Sequence, residues 1–542
     1  MRLRRNSPTT FQRSRALHVG PTGVLLALLL VAPPAFGDPV SATEETAATK
    51  ERQATPAAPE ATAPDEAAAP GKERRLPPAR TGSHVIETQG EELHFQVTAG
   101  SLTLQSEEQE PEAELAYVYY RLETEDAEKR PLTFALNGGP GAASAYLHLG
   151  VLGPWLLPME GERIVPSQSI ELVENADSWL AFTDLVFIDP VDTGFSRLLA
   201  DSKSVRDRYL SVEGDIEALA RFITRWLTEE GRLASPKYFV GESYGAFRGP
   251  LLAEALQTEQ GVGLKGLILL SPVLDFGWWA QPDHSPMPFL SSLPSFAAAA
   301  MERRDAFSQA KLRAAEDYAA GDFVVDFLQG LQDEEALERL IAGVAEITGL
   351  PPNLVADHEG RLDMQAMIRE LARDDNLIVS PYDTTITADA PLRGERRGRL
   401  PDPVLDAMTA PLTSAMLAHY RDTLEWLPER RYHLLNSDIN RAWNWGEGRR
   451  QPESVGALRR ALALDPELQL LVVHGYTDLV TPYFASELIL RQLRPFNPPD
   501  RVRQATYRGG HMFYTRADSR RAFRDDALEL YQNAQEAEPL GD

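Results

Sequence analysis

The chain has 542 residues, of which 54 are basic and 80 acidic, for a formal net charge of -26. Binding to a phosphate backbone or to anionic lipid needs a basic surface, so this balance excludes nucleic acid as an expected partner and disfavours adsorption to membranes. The 43% of hydrophobic residues is enough for a sizeable core. Because the chain has no cysteine, it cannot use disulfides, thiolate zinc sites or a cysteine nucleophile.

Residues 1–37 have the composition of a cleaved signal peptide. Five arginines and no acidic residue occupy positions 1–15, and the apolar run Val24–Val31 follows them. A run of eight apolar residues is too short to cross a bilayer, which takes about 20. Ala35-Phe36-Gly37 then offers small residues where a signal peptidase cuts. We therefore predict export to the periplasm or the cell exterior, with no stable membrane insertion after cleavage; an uncleaved anchor is the alternative.

Residues 38–83 consist mainly of Ala, Pro, Glu and Thr. Such a segment buries too little apolar area to offset the entropy lost on ordering, so it is predicted to be a disordered linker.

Strands and helices alternate after residue 84. Six apolar runs are predicted to be strands: 116–122, 132–136, 185–189, 238–241, 264–270 and 468–473. Between them lie amphipathic helical patterns, as in Ile216, Leu219 and Ile223, which recur on one helical face. Continuous apolar strands separated by amphipathic helices predict an α/β fold, with a mostly parallel central sheet and helices on both faces.

Residues 276–459 interrupt this alternation. They contain no clear strand and are rich in helix formers, as in Asp333–Ile347. We interpret them as a helical cap insertion in a core formed by 84–275 and 460–542; a separate domain is the alternative.

The strongest motif is Gly241-Glu242-Ser243-Tyr244-Gly245, which follows one predicted strand and precedes a helix. A G-x-S-x-G sequence in that setting is typical of the nucleophile elbow of an α/β-hydrolase fold. The sharp turn requires small flanking residues and lifts the hydroxyl of Ser243 above the sheet. Ser243 is therefore the predicted nucleophile.

A serine hydroxyl needs a base, and in this fold the acid and the histidine follow the serine in that order. Asp478 lies beyond a predicted strand, and His511 follows it by 33 residues, after the last strand-like run. We predict His511 as general base and Asp478 as the acid that orients it. His474 is the alternative base, although a loop histidine is the simpler interpretation of it. Asp465 is the alternative acid, although a surface or capping residue is the simpler interpretation of it.

The loop Asn137–Gly141 follows the strand 132–136 and is rich in glycine. Glycines let backbone N–H groups approach a substrate, and this loop is where an α/β-hydrolase completes its oxyanion hole. We assign the oxyanion hole to the N–H groups of Gly139 and Tyr244.

Taken together, these motifs resemble the serine carboxypeptidase family, and an exported, bacterial-type member is expected. The segments that carry the resemblance are Leu136–Gly141, Gly153-Pro154, Ser178-Trp179, Val186–Ser196, Gly241–Gly245 with Pro250, and Gly510-His511-Met512. In that family the asparagine of the glycine loop and the glutamate before the serine bind the C-terminal carboxylate of the peptide. The resemblance therefore implies this role for Asn137 and Glu242. Glu242 can serve an anionic substrate if it is protonated, since a carboxylic acid donates a hydrogen bond.

The sequence also departs from the family pattern. Ala135 replaces a frequent tryptophan, Val151 replaces a glutamate that pairs with the one beside the serine, and Ala142 replaces a cysteine. Phe513-Tyr514 stand where a proline is expected. These changes leave the predicted hydrolytic residues intact but weaken the expected recognition of a carboxylate.

The predicted function is that of a serine-type carboxypeptidase that hydrolyses peptide bonds through an acyl-enzyme. It is expected to need no metal and no organic cofactor, and its expected partner is a peptide substrate. An esterase or acyltransferase and an aminopeptidase of the same fold are the catalytic alternatives, and a non-catalytic exported binding protein is the remaining one. The oligomeric state is left open.

Overall fold

The computed structural model of the protein describes residues 75–536 except 160–163, 169–170, 201, 280–281, 372, 374–375, 392–400, 447–449 and 497. The predicted signal peptide and most of the predicted linker therefore lie outside the described residues. Among the helices of the described ranges, none has both the length and the apolar character needed to cross a bilayer.

The centre of the molecule is a ten-stranded sheet, accompanied by two small two-stranded sheets. The strands in chain order are β1 (Arg80–Thr88), β2 (Glu91–Gln105), β3 (Pro111–Leu122), β4 (Leu132–Leu136), β5 (Trp155–Leu156), β6 (Val173–Glu174), β7 (Asp184–Ile188), β8 (Arg197–Leu198), β9 (Lys237–Glu242), β10 (Gly266–Leu270), β11 (Leu377–Val379), β12 (Thr387–Asp389), β13 (Gln469–Gly475) and β14 (Val502–Tyr507). The order across the large sheet is β1-β2-β3-β7-β4-β9-β10-β13-β14, with β8 paired to β3.

The six strands from β7 to β14 in that order are parallel, whereas β1, β2, β3 and β8 join the sheet in antiparallel pairs. The mostly parallel sheet predicted from the apolar runs is confirmed. The carboxyl ends of parallel strands lie at the same edge, which is where this architecture places functional loops.

Helices flank the sheet and fill the insertion. The helices before the insertion are α1 (Ala145–Leu147), α2 (Lys203–Tyr209), α3 (Val212–Glu229) and α4 (Tyr244–Glu259). Those of the insertion are α5 (Met287–Arg303), α6 (Gln309–Ala320), α7 (Asp322–Gln329), α8 (Glu334–Thr348), α9 (Pro352–Asp357), α10 (Met364–Leu371), α11 (Leu405–Ala418) and α12 (Ser437–Ala442). Those after it are α13 (Val455–Leu464), α14 (Tyr483–Arg491) and α15 (Ala517–Glu536).

Alternating strand residues point to opposite faces of the sheet, and each face has its own apolar core. On one face Phe134 of β4 packs edge-on against Trp226 of α3, with ring centroids 5.6 Å apart. On the other face, which Ala135 shares, Tyr238 of β9 stacks on Tyr531 of α15 at 3.9 Å. The helices therefore cover both faces of the sheet, as the sequence predicts.

The insertion has a third apolar core, built by α5 to α10. Tyr483 and Phe484 of α14 belong to that core, so it is continuous with the part of the chain that follows β13. The guanidinium of Arg508 also makes two hydrogen bonds, of 2.9 and 2.8 Å, to the carboxylate of Glu302 on α5.

The structural boundaries differ slightly from those read from the sequence. β1 begins at Arg80, inside the segment assigned to the linker, and Leu76 before it is already buried. α13 begins before residue 460, yet its Leu458 and Leu462 pack in the core beside the sheet. The insertion also contains the hairpin of β11 and β12, which composition did not indicate.

Candidate active site

Ser243 lies at the turn between β9 and α4. Its backbone has φ 59° and ψ -123°, a left-handed conformation that a non-glycine residue rarely adopts. Its amide donates a 2.8 Å hydrogen bond to the carbonyl of Leu270, at the end of the neighbouring strand β10. This geometry is the strained strand-to-helix turn of a nucleophile elbow.

The two glycines of the motif are required by close backbone contacts. A Cβ atom on Gly241 would lie 2.3 Å from the carbonyl oxygen of Gly245. A Cβ atom on Gly245 would lie 2.4 Å from the carbonyl oxygen of Leu136, at the end of β4. Larger residues at either position would push the turn away from the sheet.

The glycine loop after β4 lies directly against the start of α4. A Cβ atom on Gly138 would be 2.5 Å from the backbone nitrogen of Tyr244. Gly139 and Tyr244 both line the cavity above Ser243. Tyr244 is the first residue of α4, so its amide has no acceptor within its own helix. Both predicted oxyanion-hole residues thus border one cavity.

Asp478 and His511 form a buried hydrogen-bonded pair. His511 Nδ1 lies 2.8 Å from Asp478 Oδ2. The carboxylate of Asp478 also accepts the amides of Val480 (2.8 Å) and Thr481 (3.0 Å) and the hydroxyl of Thr481 (2.6 Å). These three further contacts fix the carboxylate beside the His511 ring, as the predicted orienting role of Asp478 requires.

The other ring nitrogen of His511 remains available for proton exchange, and His511 lines the same cavity as Ser243. Burial alone would lower the pKa of His511, but the charge of Asp478, the hydrogen bond to it and the charge of Glu242 raise the pKa above its ordinary value. Among the hydrogen bonds of the described residues, none joins the Ser243 hydroxyl to His511. Catalytic hydrogen bonds are often long in the absence of substrate and tighten when it binds.

The alternative acid and base do not reach this cavity. His474 is fully buried with its Nε2 2.9 Å from the hydroxyl of Ser486, and burial lowers the pKa of His474 to about 4. Asp465 accepts the amide of Glu467 at 2.8 Å in the turn before β13. Of the sequence candidates, His511 lines the cavity together with Ser243, and Asp478 is hydrogen-bonded to His511.

Asn137 and Glu242 also meet, through a hydrogen bond from the Asn137 side-chain amide to the Glu242 carboxyl group. The amide of Leu147 fixes the Asn137 side chain by donating to its Oδ1 at 3.0 Å. The guanidinium of Arg248 also fixes Asn137, because it donates to the Asn137 backbone carbonyl at 2.7 Å. Both Asn137 and Glu242 line the cavity beside Ser243.

Glu242 is almost fully buried, and this burial raises its pKa to about 7. The charge of His511 and the hydrogen bonds from Tyr514 and Asn137 oppose that rise. Near neutral pH the carboxyl group is therefore partly protonated and partly ionised. At acidic pH it is mainly protonated and can donate a hydrogen bond.

Tyr514 is a site residue that the sequence reasoning did not assign. Its hydroxyl donates to both Glu242 oxygens, at 2.9 and 3.0 Å. Its ring also lies close to the backbone beside Val151, since a Cβ atom on Gly150 would be 3.0 Å from the ring. A phenol therefore partners Glu242 in a chain that lacks the expected second glutamate. The signal in the sequence is the departure from the family pattern at Phe513-Tyr514, after the histidine motif.

The remaining cavity wall is largely apolar and comes from the core and the insertion alike. Its apolar members are Pro140, Ala142, Tyr146, Val273, Phe276, Pro381, Tyr382, Leu405, Leu435, Val480 and Met512. Glu242 and His511 are the ionisable groups, other than tyrosines, on the described wall. The cavity therefore combines an apolar surface with one carboxyl group and one imidazole.

Part of the chain is similar to known serine carboxypeptidases. Residues 88–279 match the serine carboxypeptidase family model. Serine carboxypeptidase-like 13 of Arabidopsis thaliana is 32% identical over 203 residues, which cover 36% of this chain and 44% of that protein. Pheromone-processing carboxypeptidase KEX1 of Komagataella phaffii is 28% identical over 217 residues, covering 38% of this chain and 31% of that protein. The chain thus spans less than half the length of these curated relatives.

The matched segment contains Ser243 and the glycine loop, whereas Asp478 and His511 lie beyond it. These relatives come from a plant and a yeast and lend no support to the expectation of a bacterial-type member. The crystal structure of KEX1(delta)p, a prohormone-processing carboxypeptidase from Saccharomyces cerevisiae, has a TM-score of 0.50 at 15% identity. The alignment covers 81% of this chain and 91% of that chain, and it shows a similarity of fold. Residues 88–279 are therefore similar to the serine carboxypeptidase family, and the fold around them is that of an α/β-hydrolase.

Proposed function

We propose that the protein is a serine-type carboxypeptidase that hydrolyses peptide bonds, with Ser243, His511 and Asp478 as its catalytic triad. The observation that carries the proposal is the meeting of the Asp478–His511 pair and the strained Ser243 turn at one cavity. The family match over residues 88–279 supports the same chemistry.

The proposed reaction has two acyl-transfer steps. His511 removes the proton of the Ser243 hydroxyl as the oxygen attacks the scissile carbonyl, and the amides of Gly139 and Tyr244 bind the oxyanion. The imidazolium, stabilised by Asp478, then protonates the leaving amine. Water activated by His511 hydrolyses the acyl-enzyme and restores the serine.

The C-terminal carboxylate of the peptide is proposed to bind at Asn137 and Glu242. The amide of Asn137 is a donor in every protonation state, whereas Glu242 donates when it is protonated. The apolar wall of the cavity favours peptides with apolar side chains next to the scissile bond, because a charged side chain would lose its hydration there.

The aminopeptidase alternative is disfavoured by the surroundings of Glu242. An anchor for a substrate ammonium must be ionised. Burial raises the pKa of Glu242 to about 7, so this carboxyl group is only partly ionised near neutral pH. The esterase alternative keeps support from one observation, namely that Val151 is present where the family pairs a second carboxyl group with Glu242.

We also propose that the protein is exported to the periplasm or the cell exterior, on the strength of the arginine-rich and apolar N-terminal sequence. N-terminal sequencing of the mature protein from the native host tests this. Cleavage close to residue 37 is the expected result, and recovery of the uncut chain from the cytoplasm would contradict it.

Replacement of Ser243 tests the catalytic proposal. Ser243→Ala should lower kcat for peptide hydrolysis by roughly 10⁴- to 10⁶-fold, since removal of one triad member disables the whole relay. Ser202→Ala, at the exposed N-terminus of α2, is the matched control and should keep full activity. The wild type should also be labelled at Ser243 by a fluorophosphonate.

A mixed peptide library read by mass spectrometry tests the specificity. Loss of single residues from the carboxyl end is expected. Trimming from the amino end would favour the aminopeptidase. An intact peptide library together with hydrolysis of an ester substrate in a parallel assay would favour the esterase. Near wild-type peptide activity in Ser243→Ala would reject the assignment of the nucleophile.

A further inference from the structure

The segment 380–385 of the insertion lies between β11 and β12 and rests on the two loops that carry Asp478 and His511. Those loops follow β13 and β14, which are neighbours in the sheet. The segment belongs to the cap, and the hydrolytic chemistry proposed above does not use it.

Backbone hydrogen bonds attach the segment to both loops. The carbonyl of Pro381 accepts the amide of Leu479, the residue after Asp478, at 3.0 Å. The carbonyl of Tyr382 accepts the amide of His511 itself at 2.6 Å. The Tyr382 ring lies edge-on to the His511 imidazole, with centroids 5.4 Å apart.

The side chain of Asp383 connects the two loops directly. Its Oδ1 accepts the hydroxyl of Thr477 at 3.0 Å, and its Oδ2 accepts the amide of Gly510 at 3.1 Å. Thr477 immediately precedes Asp478, and Gly510 immediately precedes His511. One buried carboxylate therefore bonds the neighbours of both the acid and the base.

Asp383 is itself held in place. The amide and hydroxyl of Thr385 donate to its Oδ1 at 3.0 and 2.7 Å, and Arg516 Nη2 lies 3.5 Å from its Oδ2. Arg516 also donates to the Thr385 hydroxyl at 2.8 Å. The carboxylate thus sits among donors on both sides, with one arginine to balance its charge.

The contact leaves no space between the segment and the histidine loop. A Cβ atom on Gly510 would lie 1.9 Å from the carbonyl oxygen of Tyr382 and 2.5 Å from Asp383 Cα. A shift of the segment would therefore move the backbone next to His511.

We propose that Asp383 is a positioning residue that sets the alignment of His511 with Asp478, so that the cap insertion is part of the catalytic apparatus. The inference rests on the proposed function. Asp383 does not touch the reacting atoms; it acts by fixing the two loops, and an error of about 1 Å in such an alignment can lower the rate roughly 10²-fold.

The test is Asp383→Asn in the full chain. The substitution keeps the shape but places an NH₂ group against the donors of either Thr477 or Gly510. We expect kcat for a peptide and the rate of fluorophosphonate labelling of Ser243 to fall together by about 10²-fold, with KM almost unchanged. The downfield proton resonance of the Asp478–His511 hydrogen bond in the resting protein should shift or broaden.

Asp333→Asn is the matched control, because Asp333 also lies in the insertion and caps α8 through the amide of Ala336 at 3.1 Å. It should change none of these readouts. If Asp383→Asn does not fold, the isosteric Thr477→Val removes only the Thr477 hydrogen bond and should lower kcat and the labelling rate in the same way.

Unchanged kcat, labelling and resonance in a folded Asp383→Asn or Thr477→Val variant would overturn the inference. A wild type that is labelled but cleaves no peptide would reject the proposed function alone, since the labelling rate and the resonance still measure the alignment. A wild type that is neither labelled nor active would reject both.

Discussion

At the scale of single residues, the roles proposed for Glu242 and His511 require opposite pH conditions. His511 must be neutral to act as a base, and its pKa lies above the ordinary value, so catalysis should improve as the pH rises through that pKa. Glu242 must be protonated to donate to a substrate carboxylate, and its pKa of about 7 means that this form is lost as the pH rises through neutrality. The two requirements overlap only in a limited pH window.

We therefore expect a bell-shaped pH profile of kcat/KM for peptides with a free C-terminal carboxylate. The same peptide with a C-terminal amide should show only the ascending limb, since it carries no anion for Glu242 to bind. In Tyr514→Phe the descending limb should move to higher pH, because loss of the Tyr514 hydrogen bond raises the pKa of Glu242 further. Initial rates of both peptides across pH 4–9 provide the measurement.

Tyr238→Phe is a suitable control for the loss of a buried phenol hydroxyl. The Tyr238 hydroxyl has no hydrogen-bond partner among the described residues and belongs to the core beneath the sheet. The pH profile of kcat/KM for Tyr238→Phe should match that of the wild type. A peptide profile that rises to neutral pH and then stays flat would contradict the proposed role of Glu242.

The separate site residues differ in how far the sequence could predict them. Ser243, His511 and Asp478 stand in motifs whose local setting, a strand end or a strand-to-helix turn, is readable from the chain, and their catalytic roles stay predictions. Asp383 could not be found in that way. Its partners Thr477 and Gly510 are 94 and 127 residues away, and no local pattern marks the contact.

At the scale of elements, α3 covers one face of the sheet, and Trp226 is its largest fully buried side chain. This side chain is 1% exposed and meets Tyr117, Tyr119 and Phe134 edge-on, with centroid distances from 4.8 to 6.2 Å. Such a contact combines a large buried apolar area with favourable ring geometry.

Trp226→Ala should lower the free energy of unfolding by about 3–5 kcal/mol, because it removes that burial and leaves a cavity between helix and sheet. Denaturant unfolding followed by circular dichroism measures the change. Glu229→Gln in the same helix, which only weakens an exposed pair with Arg225, should stay within about 0.5 kcal/mol of the wild type. A small effect of Trp226→Ala would mean that α3 is held by other contacts.

Element prediction succeeded where strands are buried on both faces. The run 132–136 coincides with β4, because every residue of that strand is buried and all of them except Thr133 are apolar. β2 was missed although it is the longest strand, because it alternates buried and exposed residues over 15 positions and has no continuous apolar run. β11 and β12 are three residues each, too short for a pattern to emerge.

At the scale of the whole molecule, the insertion is joined to the hydrolase core by apolar packing, an ion pair and the Asp383 hydrogen bonds. Phe484 of α14 is fully buried in the core of the insertion although it follows β13 in the chain. The loss of the alternating strand pattern predicts an insertion, but the extent of this contact could not be predicted, because it depends on which surfaces the tertiary fold brings together.

We therefore expect the described part of the chain to unfold as one cooperative unit. Thermal transitions followed by far-ultraviolet circular dichroism and by tryptophan fluorescence should coincide, as two-state behaviour requires. Two separated transitions would show that the insertion folds independently. Phe484→Ala is the more stringent test. Its loss of packing should lower the temperature of the single transition rather than divide it into two transitions.

The left-handed backbone of Ser243 affects how the protein would respond to selection for heat resistance. Glycine adopts that conformation without steric penalty, whereas a side chain held there costs on the order of 1–3 kcal/mol. Selection on folding alone would therefore favour glycine at position 243 and abolish the proposed hydrolysis. A library screened only for soluble protein should lose this hydroxyl early, and thermostabilisation of the protein calls for a screen that reports turnover as well.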